Sequence, residues 1–208
     1  MIDVLALVSA VAGLEGVVKA SVGLVDTIRG KWGSGDDEVK AKLRADIDAM
    51  AAAVSSVAQL AESGQAYVEV RDEVHRLQLD LAMLERYLLA NADVLRNHLA
   101  PGYETSWLTV EQLLGSMERN RESSRRVHLS RQQFIDVADH ETISSRLADA
   151  SAAYEQCSAF VKVREPDRLR ERLDDMQRPL ALTDTLLKDT LTTKILGGIA
   201  AVRSDREP

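Results

Sequence analysis

Apolar residues in this chain recur at alternating steps of four and three, and that spacing limits the folds open to it more than any other feature. Val70, Val74, Leu77, Leu81, Leu84 and Leu88 form the clearest row, with Leu95 in the same register beyond Asn91. Such a row lies on one face of an α-helix and suits a seam between packed helices. Leu43, Ile47, Met50, Val54, Val57 and Ala61 repeat it upstream, and Ile143, Leu147, Ala150, Tyr154, Cys157 and Val161 repeat it downstream. Leu169, Leu173, Met176 and Leu180, then Leu187, Leu191, Ile195 and Ile199, carry it towards the C-terminus. A half-buried strand would need a period of two instead. Composition agrees, with 4% aromatic residues and 45% hydrophobic ones rich in alanine and leucine, which lose little on entering a helix. The expected class is all-α: an elongated antiparallel bundle of about five to seven helices with coiled-coil-like heptad packing, in one domain over residues 1–208.

Punctuation divides that pattern. Asp36 or Asp37 suits the N-cap of a helix, and Ser63-Gly64 reads as its end. Residues 37–62 and 66–98 are thus expected to form an antiparallel helical hairpin, closed by Pro101-Gly102. The remaining helices occupy residues 105–203. One starts near Thr105 or Thr109 and buries Trp107, Leu108, Leu113, Leu114 and Met117. Its apolar row fades from Arg119 to Arg131, and Phe134, Ile135 and Val137 suggest a short helical piece after it. Pro166 suits the first turn of a last helix, which Pro179 is expected to break or kink.

The N-terminal segment 3–28, DVLALVSAVAGLEGVVKASVGLVDTI, is the most apolar in the chain. Val4, Leu5, Leu7, Val8, Val11 and Leu14 leave Val4–Leu14 apolar almost all round, which fits the centre of a bundle or a lipid environment. A spanning helix needs about 20 consecutive apolar residues. Glu15 ends this run too early for a permanent span. Ala12, Gly16 and Ala20 lie four apart, and rows of small residues let helix backbones approach closely. This segment is therefore the candidate membrane or assembly helix. Arg29, Lys31 and Trp32 follow it in the order of an interfacial anchor, where a ring and cations sit at headgroup depth; the alternative is a tryptophan folded over the bundle end.

Several functions are excluded or disfavoured by charge and motif. A net charge of -7 opposes general nucleic-acid binding. The glycines from Gly30 to Gly35 lack the lysine and hydroxyl of a phosphate loop, and Asp36, Asp37 and Glu38 would repel a phosphate there. His75, His98, His128 and His140 have no metal-ligand spacing and read as surface or boundary residues, and Cys157 reads as a buried, inert thiol. No acid, base, nucleophile or metal set emerges, so neither an enzyme nor a cofactor nor a small-molecule substrate is expected. Arg119, Arg121, Arg125, Arg126 and Arg131 form a candidate anion-contacting face; the alternative is a solvated surface with Glu118 and Glu122 as local partners. The acidic start Met1-Ile2-Asp3 is unlike a secretory signal, and a single cysteine suits a reducing compartment, so a cytoplasmic location is expected.

The apolar helix VLALVSAVAGLEGVVKASVGLVDTI, a short polar loop and the heptad helix VKAKLRADIDAMAAAVSSVAQL together resemble the HeLo and SesA-like helical domains of cell-death signalling proteins. The resemblance covers about the first hundred residues and rests on pattern. It implies a helical signalling or membrane-permeabilising unit whose N-terminal helix takes part in membrane action. No NACHT, kinase or prion-forming segment follows, so an effector acting alone or switched by a separate partner is expected. Residues and resemblance together suggest a regulated bundle effector that acts on membrane lipid or self-associates. The alternative is a cytoplasmic helical adaptor or assembly subunit that binds protein partners only.

Overall fold

A computed structural model describes residues 37–204. Segment 3–28, the anchor at Arg29, Lys31 and Trp32, and the tail after Ser204 lie outside the described residues. Five α-helices follow one another: α1 Asp37–Ala90, α2 Ala92–Arg96, α3 Tyr103–Arg131, α4 Val137–Lys162 and α5 Pro166–Ser204, with a 3-10 turn at Gln132–Phe134. The described residues contain no strand, in keeping with the four-three spacing. The chain divides into two compact units, Met1–Ala66 with Leu191–Pro208, and Tyr67–Thr190.

The expected hairpin between 37–62 and 66–98 is not formed, because α1 runs unbroken through Ser63 and Gly64. A glycine inside a helix costs about 1 kcal/mol relative to alanine, too little to end a 54-residue helix that no proline interrupts. The two apolar rows on either side of Gly64 are out of register with each other. Continued from Ala61, the upstream row would place apolar residues at 64, 68 and 71, whereas the downstream row starts at Val70. In the first unit Ile47 and Ala61 are buried, while Met50, expected in the same row, is 51% exposed.

The break comes instead at Asn91. Its side-chain amide donates to the Tyr87 carbonyl at 3.0 Å, the same oxygen its backbone N–H reaches at 3.1 Å. A short polar side chain that engages the backbone in this way favours helix ends, so Asn91 terminates α1 rather than sitting in a seam. Gly102 then takes φ 87° ahead of α3, a left-handed conformation that glycine adopts without a Cβ penalty. The region from Arg119 to Arg131 is helical throughout. Further on, α4 closes through Glu165 N–H to the Phe160 carbonyl at 3.0 Å, with Arg164 at φ 56° in the place glycine usually takes. Pro166 opens α5 as its position predicts, but Pro179 does not break that helix. Pro179 is buried, and the Thr183 hydroxyl donates to its carbonyl at 2.8 Å.

Within Tyr67–Thr190 the links between helices run in opposite order along each consecutive long pair. Glu69 and Asp80 of α1 and Leu95 of α2 bond Arg131, Asn120 and Trp107 of α3. Leu114 and His128 meet Tyr154 and Ser144 between α3 and α4. Asp139 and Arg146 meet Thr190 and Leu182 between α4 and α5. Arg71 bonds Asp184 at 2.8 Å, which ties α5 back to α1. Val70, Leu84, Trp107, Met117, Ile143, Leu169 and Leu180 are all fully buried. Each such side chain contributes roughly 1.5–3 kcal/mol by leaving water. The Trp107 indole N–H reaches the Leu95 carbonyl at 3.3 Å, so its burial leaves no donor unpaired.

Candidate functional site

The polar stretch of α3 holds the most unusual chemistry among the described residues. Trp107, Val110, Leu114 and Met117 are buried at steps of three and four. Extended by the same steps, the row lands on Arg121, Ser124, His128 and Arg131. Past Met117 the row turns polar, with Ser124 and His128 inside and Arg121 and Arg131 partly exposed. Ser124 is fully buried and His128 is 2% exposed.

His128 Nε2 lies 3.0 Å from Ser144 Oγ on α4. Its ring stacks on His140, with centroids 4.5 Å apart and planes within 19°. Nδ1 of both rings and the Ser124 hydroxyl are buried without a hydrogen-bond partner. Burial first, and the neighbouring His140 second, push the His128 pKa down to about 4, so the ring is neutral at pH 7. A neutral histidine beside a serine hydroxyl has two members of a nucleophilic triad, but among the described residues no carboxylate bonds Nδ1 to complete it.

The arginines do not form one face. At 100° per residue, Arg119 and Arg126 point one way, Arg121 and Arg125 another, and Arg131 a third. Arg121 donates from Nε and Nη2 to the two Glu118 carboxylate oxygens at 2.6 Å each, approaches Glu155 at 3.5 Å and lies over the Tyr154 ring at 4.9 Å. That guanidinium holds the Glu118 carboxyl below its ordinary range. Burial, followed by the Glu118 charge, raises the Tyr154 phenol to about 12. Arg131 bonds both oxygens of Glu69 on α1. Arg119, Arg125 and Arg126 are exposed and make no ion pair among the described residues. Of the five arginines, Arg121 and Arg131 thus bond carboxylates, Arg121 with the local partner Glu118, and the other three are exposed.

A pocket of about 380 Å³ opens beside this seam. Its lining includes Arg121, Arg125 and His128 of α3, Ser144, Leu147 and Ser151 of α4, Leu77 of α1 and Met176 of α5. The remaining histidines differ from one another: His75 and His98 are exposed and His140 is half-buried. His128 is thus a correction to the reading of all four as surface or boundary residues. Cys157 is buried, and burial raises its thiol to about 11, as expected of an inert cysteine. Among the described residues no group of three or more His, Cys, Asp or Glu could hold a metal ion. No described helix is long and apolar enough to cross a membrane. No protein-family model, curated protein or solved structure matches the chain.

Proposed function

We propose that this protein is a regulated helical-bundle effector or signalling module, without enzymatic activity, whose apolar N-terminal segment acts on membrane lipid or in self-assembly. In this reading residues 67–190 form an antiparallel bundle with coiled-coil-like seams. Segment 3–28 is the exchangeable element, engaged through Leu5, Val8, Leu14 and the small-residue row Ala12, Gly16 and Ala20. The observation that carries the reading is in the sequence: Val4–Leu14 is apolar almost all round, and Ala12, Gly16 and Ala20 lie four apart, a row that lets helix backbones approach closely in protein or in lipid. The protein works from the cytoplasm and reaches the membrane on activation, with Arg29, Lys31 and Trp32 at headgroup depth. Dye leakage from anionic liposomes tests this. The intact chain causes leakage, and Leu5→Glu or Leu14→Glu abolishes it; equal leakage from all three, or none under any condition, overturns the proposal.

A second reading is a cytoplasmic adaptor or assembly subunit that binds protein partners only. Leu79 and Met83, one turn apart on α1 and 52% and 57% exposed, favour it, because adjacent exposed apolar side chains on a helix suit a facing helix. Light scattering after size exclusion separates the two readings. A constitutive oligomer that Leu79→Glu dissociates, together with no leakage, supports the adaptor.

A further inference from the structure

We propose that the stacked rings of His128 and His140 form a proton-operated latch on the first turn of α4: protonation of His128 parts the stack and frees Asp139 from Tyr67 and Thr190. This goes beyond the effector and adaptor readings and depends on neither. Residues 136–140 are tied to all three of the other long helices of the unit Tyr67–Thr190. The His140 ring meets His128 of α3 with centroids 4.5 Å apart. Asp139 Oδ2 accepts from the Tyr67 hydroxyl of α1 at 2.6 Å and from the Thr190 hydroxyl of α5 at 3.2 Å. The Asp136 N–H donates to the same Tyr67 oxygen at 3.2 Å.

Two neutral rings suit this arrangement and a charged one does not. An imidazolium carries a proton on each nitrogen. His128 Nε2 has Ser144 Oγ at 3.0 Å, but the buried Nδ1 of His128 has no hydrogen-bond partner, and neither has that of His140. A charged donor left unpaired inside the protein is costly, and a second proton on His140 would set like charges face to face. The charges on neighbouring elements do not relieve this. Arg121 and Arg125 of α3 line the same pocket as His128, and no carboxylate among the described residues lines it. Arg131 is paired with Glu69 of α1, and Glu73 of α1 with Arg76. On α5, Asp184 is paired with Arg71. Asp136, ahead of α4, and Glu141 within it are exposed. Water becomes the acceptor once the rings separate. Burial and the neighbouring His140 accordingly hold the His128 pKa at about 4, so acidification opens the latch.

The experiment follows the His128 imidazole signals of the full chain by two-dimensional NMR as the pH is lowered from neutral, with circular dichroism reporting the whole fold on the same samples. Coupling is reciprocal: if protonation opens the turn, loosening the turn eases protonation. Thr190→Val removes one hydroxyl from Asp139 and no bond to either ring. It raises the His128 pKa by at least about 0.3, roughly a twofold gain in proton affinity. Tyr67→Phe, which removes two bonds to the same turn, raises it further. Thr185→Val, which removes an exposed α5 hydroxyl bonded to the Ala181 carbonyl, leaves it unchanged. The proposal is overturned by an unchanged pKa in Thr190→Val, or by an equal rise in Thr185→Val. A His128 ring that stays neutral until the whole chain unfolds also overturns it. Thr190 is only half-buried, so its replacement by valine does not threaten the fold.

Discussion

His128 sits where α3 would ordinarily place a leucine, and its buried ring makes stability depend on pH. Its folded pKa of about 4 lies below the ordinary 6.5. Between those values the unfolded chain takes up a proton that the folded chain refuses. Stability therefore falls as pH drops from about 6.5 to 4 and levels off below, by up to about 1.4 kcal/mol for each pH unit in that window. Urea denaturation at pH 7, 5.5 and 4.5 measures the slope, and His128→Gln flattens it relative to the parent chain. Tyr67 offers a second test. Its hydroxyl donates to Asp139 at 2.6 Å and accepts from the Asp136 N–H at 3.2 Å. Burial and the bond to Asp139 raise the phenol well above its ordinary pKa, so it is protonated at pH 7. Tyr67→Phe removes both interactions and costs about 1–3 kcal/mol of stability in the same assay.

At the scale of the element, helix ends and glycines carry contrasting predictions. Gly102 holds φ 87° before α3, so Gly102→Ala forces an alanine into the left-handed region and costs about 1 kcal/mol. Gly115 lies within α3 with φ in the ordinary range, and an added Cβ meets only Arg119 Nη1 at 3.9 Å. Gly115→Ala therefore stabilises the protein by about 0.5–1 kcal/mol. Thermal unfolding of the two variants shows opposite shifts in Tm. The continuity of α1 is open to hydrogen exchange. Amides from Ser63 to Val68 exchange as slowly as their helical neighbours, whereas a turn at Ser63-Gly64 would leave them fast. Helix boundaries were legible from Pro166 and from Gly102, because a fixed φ or a missing Cβ acts locally. They were not legible at Gly64 or Pro179, where the surrounding helix outweighs about 1–3 kcal/mol of local propensity.

Across the whole molecule, the division into two compact units makes Tyr67–Thr190 a candidate for independent folding. Expressed alone, that fragment is expected to be helical by circular dichroism and to unfold cooperatively in urea. A non-cooperative loss of signal would show that its core needs the rest of the chain. The polar seam of α3 was readable in principle, since Arg121, Ser124, His128 and Arg131 continue the spacing of Trp107 to Met117. Apolar character ends at Met117 while the helical position of the row continues, so apolar spacing alone does not show it.

The sequence by itself determined the all-helical class and most of the buried face, since a four-three spacing of apolar side chains has one low-energy way to leave water. It also determined that Cys157 is buried, by placing it in register. Only tertiary structure decided that Arg131 pairs with Glu69, that Arg121 approaches Glu155, and that His128 meets His140 and Ser144. Those pairings join residues on different helices, and burying a ring beside its partners is a property of the packed environment rather than of any local stretch.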